Sequence, residues 1–218
     1  MKKTIYLAVA VVAVISLMLV SFIAGAVLTY YYIKATTFYV VKKPAVYLYP
    51  IDESVINVSL SINGKLTASE PYYNQGWNVN VKPNGLIDGR FDYLFYEAAL
   101  KKIALPEDGW VVEYKNLDRW FDRELILLGL NEKEKSQFKE YWLKELPKAD
   151  YYEIRLLQDD FLNENMGLDI KPKPDNLIRV NLHFKPVSTK TSLAKPVIKT
   201  PHREGFVVVE WGGILAEG

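Results

Sequence analysis

The sequence predicts an α+β protein: an N-terminal transmembrane helix, then a mostly antiparallel β domain with an inserted helical hairpin. Three observations carry this. A charge-free apolar run covers residues 5–33, short stretches of period-two alternation recur after residue 43, and one stretch between 116 and 146 has a 3.6-residue period. With 218 residues, half of them apolar and 24% charged, the chain can bury a real core in one domain beside the membrane segment.

The run "IYLAVAVVAVISLMLVSFIAGAVLTYYYI" is longer than the roughly 20 apolar residues that cross a bilayer, and longer than the apolar part of a secretory signal. Tyr30, Tyr31 and Tyr32 fit an interfacial aromatic belt. The expectation is an uncleaved signal anchor over 1–34, a juxtamembrane linker over 35–43 and an extracytoplasmic domain over 44–218. The alternative is cleavage at the small-residue stretch "AGA". Lysines flank the segment on both sides, so charge alone leaves its orientation nearly balanced. An outside domain is the expectation, compatible with the sequon Asn57-Val58-Ser59 as a glycosylation candidate.

Each later element has a local signature. "KPAVYLYP" (43–50) is apolar on both faces and is expected to be a buried strand that pairs with the C-terminal strands; a sheet edge completed by a partner strand is the alternative. "SVINVSLSI" (54–62) alternates, and Asn63-Gly64 reads as a hairpin turn into "KLTAS". "GWNVNV" (76–81), the turn "PNG" and "RFDYLFYE" (90–97) extend a meander of short antiparallel strands. From Asn116 the period lengthens to that of two helices, with Gly129 ending the first and Asn131 with Glu134 forming a capping box on the second. Strands return at 151–157, 176–184 and 205–211, with a stiff "KPKPD" connector and an exposed loop over 186–204.

Charge and cysteine usage exclude several functions. The first 43 residues hold five lysines and no acid, so the remainder carries 22 basic and 26 acidic residues and is mildly acidic. Nucleic acid is therefore a poor partner. The absence of cysteine rules out disulfides, thiolate metal sites and a cysteine nucleophile. Abundant Lys and Glu with scarce Gln lean toward a thermophilic source.

The stretches "KPAVYLYP", "GWNV", "YLFYE", "PDNLIRV" followed by "KP", and "GFVVVEWGG" stand in an order that resembles a family of uncharacterised, exported or membrane-anchored prokaryotic proteins. "GLNEKE…FKEYWL" fits the same pattern. The resemblance spans roughly 43–213. It departs at Tyr96, where that family tends to have Trp before the Glu. It implies the envelope location and a single domain, and it brings no activity.

Candidates for chemistry are few. His183, between Leu182 and Phe184, reads as a strand residue, and His202 lies in the loop; two isolated histidines make no metal site, and no cofactor is expected. Glu97 and Glu210 each end an apolar strand, where desolvation raises a carboxyl pKa. As a converging pair they are the catalytic candidates of an envelope hydrolase acting as general acid and base. The competing expectation is that they lie far apart at opposite ends of the sheet, with pairing to an arginine such as Arg155 or Arg179. Tyr47, Tyr49, Tyr72, Tyr73, Trp77 and Trp211 are candidates for a stacking face that binds sugar or peptide. The leading expectation is a non-enzymatic domain of interaction or cell-envelope organisation, anchored to the membrane by its helix and meeting a protein or glycan partner. The alternatives are the hydrolase and a carbohydrate- or peptide-binding module.

Overall fold

The computed structural model describes the backbone of residues 2–36 and 38–216, and the side chains of 14–31 and 38–216. The chain divides into two units, 1–38 and 39–218. The first is helix α1 (Lys2–Thr36), whose stretch Val14–Tyr31 is long and apolar enough to cross a membrane. The Tyr32 side chain of the expected aromatic belt lies outside the described residues.

The second unit is α+β. Its elements run β1 (Tyr39–Tyr49), β2 (Ser54–Ile62), β3 (Gly64–Glu70), β4 (Trp77–Val81), β5 (Leu94–Leu100), β6 (Trp110–Glu113), a 3-10 turn (Tyr114–Asn116), α2 (Leu117–Leu127), α3 (Glu132–Glu145), β7 (Tyr151–Leu156), α4 (Asp159–Asn165), β8 (Met166–Lys171), β9 (Asn176–Val187) and β10 (Val207–Leu215). A seven-stranded sheet has the order β3-β5-β1-β10-β9-β7-β6, and a three-stranded sheet the order β4-β2-β8. All pairings are antiparallel except β9 with β10, whose long connection returns the chain to the same end.

The large sheet buries both faces. On one, α2 and α3 cover a core that includes Ala45, Tyr47, Trp120, Phe138, Trp142, Phe184 and Trp211; on the other, the small sheet and α4 cover Val46, Leu48, Ile56, Trp77, Tyr96, Phe161 and Val208. β1 lies between β5 and β10 near the middle of this sheet, so its two apolar faces serve two cores. Five of its residues, Ala45, Val46, Tyr47, Leu48 and Val41, are fully buried. Residues 39–43, expected as linker, form the first half of this strand.

The N-terminal meander is not formed. Asn63-Gly64 does not close a hairpin: β2 belongs to the small sheet, whereas β3 pairs with β5 in the large one. A Cβ on Gly64 would stand 2.0 Å from the Ala99 carbonyl oxygen, so the chain switches sheets where only glycine fits. Asn63 is held at this corner by Asn165, through both backbone and side chain. The helical hairpin agrees with its sequence signals. Gly129, at φ +98°, ends α2, and Asn131 and Glu134 exchange side-chain-to-backbone bonds of 2.9 and 2.8 Å.

Candidate functional site

Glu97 and Glu210 point to opposite faces of the large sheet. Val46 pairs with both Leu94 and Glu210, so these three residues share a face, and Glu97, three residues beyond Leu94, turns to the other. The strands β5 and β10 run in the same direction, both antiparallel to β1. Alternation along the strand, rather than opposite ends of the sheet, is therefore what separates the carboxylates. Glu97 is half-buried near Tyr141, whose phenol is pushed up to about 12 by burial and then by Glu145 and Glu97.

Glu210 is fully buried and saturated with donors. Arg179 donates from Nε at 2.8 Å and pairs through its second guanidinium nitrogen at 2.7 Å; Asn181 Nδ2 donates at 2.9 Å and the Tyr96 hydroxyl at 2.6 Å. Burial and then the charge of Glu210 push the Tyr96 phenol well above its ordinary pKa, so it stays a donor. Arg179 also donates to the Met166 carbonyl at 2.6 Å, tying the start of β8 to the large sheet. The cluster joins two layers and is closed off from solvent, with Glu210 and Asn181 0% exposed.

The aromatic candidates form no common face. Tyr47 and Trp211 sit in the helix-side core, Trp77 in the core between the sheets, all at most 3% exposed. Large rings on alternating strand positions are the groups with most to gain from burial. Tyr49 is half-buried and stacks on Tyr47 at 6.3 Å. Tyr73 packs edge-on against Trp77 at 4.9 Å and accepts a bond from the Leu60 N–H, whereas Tyr72 alone is open to solvent. Asn57 lies half-buried on the central strand of the small sheet, 3.4 Å from the Ser59 hydroxyl.

His202 is exposed in the loop, and His183 is buried on β9. Burial, then the charges of Arg155 and Lys185, push the His183 imidazole down to about 4, with Glu153 opposing. A pKa below the ordinary 6.5 means the neutral ring belongs to the folded state. The stability it contributes is complete above pH 6.5 and is lost as pH falls towards 4. Chemical denaturation between pH 7 and 4.5 is expected to show a decline that His183→Gln removes. An unchanged slope in the variant would refute this.

A groove of about 510 Å³ runs along the free edge of the large sheet. Its floor is β6. Tyr114 N–H donates to the Asp150 carbonyl at 3.1 Å, one rung beyond the Glu113–Tyr151 pair, so Trp110 and Val112 also turn their backbone groups towards β7. Val111 and Glu113 therefore direct their N–H groups outwards. Gly109, the preceding outward position, donates to the Ala194 carbonyl at 2.8 Å, so the 186–204 loop already supplies one strand-like bond. The outward N–H groups of Val111 and Glu113 have no partner among the described residues.

Two walls flank this floor. On the helix side stand Arg119, Trp120 and Arg123 from α2; on the other stand Lys190, Thr191, Leu193 and Lys195 from the loop, with Thr191 against Glu153. Trp120 packs edge-on against Trp110 at 5.3 Å, which fixes the helix wall to the floor. Glu113 is the one acid lining the groove, and Lys115 and Asn116 hold it at 2.9 and 3.2 Å. Sequence reasoning did not identify β6 or these cations. The available signal was "WVVE", in which Trp110, Val111 and Val112 are three β-favouring residues between Gly109 and the helix start.

No group of His, Asp or Glu among the described residues is placed to hold a metal ion. No family model and no solved structure matches the chain. A relative described as an uncharacterised protein in the bglA 3′ region of Butyrivibrio fibrisolvens is 43% identical over 61 residues, which cover 25% of this chain. The chain spans 64% of that relative's length.

Proposed function

We propose that the protein is a membrane-anchored, extracytoplasmic interaction module that accepts an extended segment of a partner protein along β6. The helix at Val14–Tyr31 serves as the anchor, and the domain that follows stands outside the cytoplasm. The single observation supporting this reading is the pair of outward N–H groups on Val111 and Glu113, at the bottom of a walled groove. An added strand satisfies such groups, and the grooves beside it read the side chains. A hydrolase is not supported, because Glu97 and Glu210 turn to opposite faces.

The test is Val111→Pro. Its N–H faces away from β7, so proline removes the outward donor and blocks the edge without breaking a rung of the sheet. The variant is expected to melt within a few degrees of the parent and to lose capture of extended peptides at least tenfold. Undiminished peptide binding by a folded variant would refute the edge as the site.

A further inference from the structure

The geometry points to an acidic extended peptide as the occupant of the β6 groove, an inference that rests on the strand-accepting reading above. Four cations line the groove, Arg119 and Arg123 on the helix wall and Lys190 and Lys195 on the loop wall. Arg123 is engaged by Glu124 at 2.7 Å, whereas Arg119, Lys190 and Lys195 make no ion pair among the described residues, Lys190 acting on Glu113 only as a more distant charge. Glu113 is already held by Lys115 and Asn116, so the free charge of the groove is positive in a domain whose overall charge is negative.

The position of the cations matters more than their number. An added strand turns successive side chains to opposite faces of the sheet. One set would meet α2, which covers the face bearing Trp110 and Val112; the other would meet the loop, which lies against Glu153 on the opposite face. Cations stand on both walls, so acidic residues at consecutive positions are accommodated. A second copy presenting the same edge would set like charges against each other, which disfavours self-pairing.

The full chain, in nanodiscs of zwitterionic lipid, is titrated with labelled heptapeptides in which four consecutive Glu, Gln or Lys residues follow Thr-Val and precede Val. The acidic peptide is expected to bind roughly tenfold tighter than the Gln peptide at low salt, with the advantage shrinking severalfold as salt rises. Arg119→Gln combined with Lys195→Gln should remove the advantage of the acidic peptide over the Gln peptide. Equal binding of all three peptides overturns the acidic specificity while the edge site stands. Binding of none overturns both. Polyphosphate binding that is tighter than the acidic peptide and indifferent to Val111→Pro also overturns the inference, in favour of a polyanion that uses the cations without the strand edge.

Discussion

Glu210→Ala is expected to destabilise the domain by about 3–5 kcal/mol, the cost of leaving a buried partner charge uncompensated. The Arg179 side chain is only 2% exposed and makes its one ion pair among the described residues with Glu210, Asp159 acting on it only as a more distant charge, and Asn181 and Tyr96 lose their acceptor at the same time. A domain of this kind has roughly 5–15 kcal/mol in hand, so a large share is lost. Removing both charges in Glu210→Met with Arg179→Met should recover much of the loss, because apolar replacement of a whole buried pair is often near neutral. Urea denaturation of the two variants distinguishes the cases. A mild effect of the single change would mean that Glu210 is not the bond between layers described above.

Trp211→Ala should cost about 3–5 kcal/mol, as expected for emptying a large ring from a close-packed core. Trp211 is fully buried, 5.2 Å from the ring of Phe138 and 6.4 Å from that of Tyr47, and so joins α3 to β1 and β10. Tyr72→Ala, at a position 84% exposed, should change stability by less than about 0.5 kcal/mol. Thermal melts of the two variants separate a core role from a ligand-stacking role. A Trp211→Ala protein that keeps its melting temperature would restore Trp211 as a surface candidate.

How much could be read from the sequence depended on how local each signal was. The capping box at Asn131 and Glu134 and the glycine stop at Gly129 are set within a few residues, and both are present. The central position of β1 followed from apolar side chains on both faces of "KPAVYLYP", because such a strand needs cover on both sides. Asn63-Gly64 misled, because that dipeptide favours a hairpin turn locally. The choice of sheet for β2 and β3 is set by contacts with β4, β8 and β5, distant in sequence.

α4 with seven residues, β8 with six and β6 with four are too short to show a period, and β6 is the floor of the candidate site. Arg179 was legible as one of two possible partners for Glu210. The parallel register that sets Glu210 directly opposite Arg179 was not, since the nineteen residues between β9 and β10 carry no pairing signal. The groove cations come from α2 and the loop, and neither segment reveals alone that the other stands across from it.

The most direct measurement is amide hydrogen exchange at Val111 and Glu113, followed by NMR on the full chain with and without the acidic heptapeptide. In the free protein both amides should exchange quickly, as unpaired edge groups do, while those of Trp110 and Val112 are protected by β7. Saturating peptide should slow exchange at Val111 and Glu113 by at least tenfold and leave the opposite edge, β3, unchanged. Peptide binding without added protection at these two amides would contradict strand addition at β6.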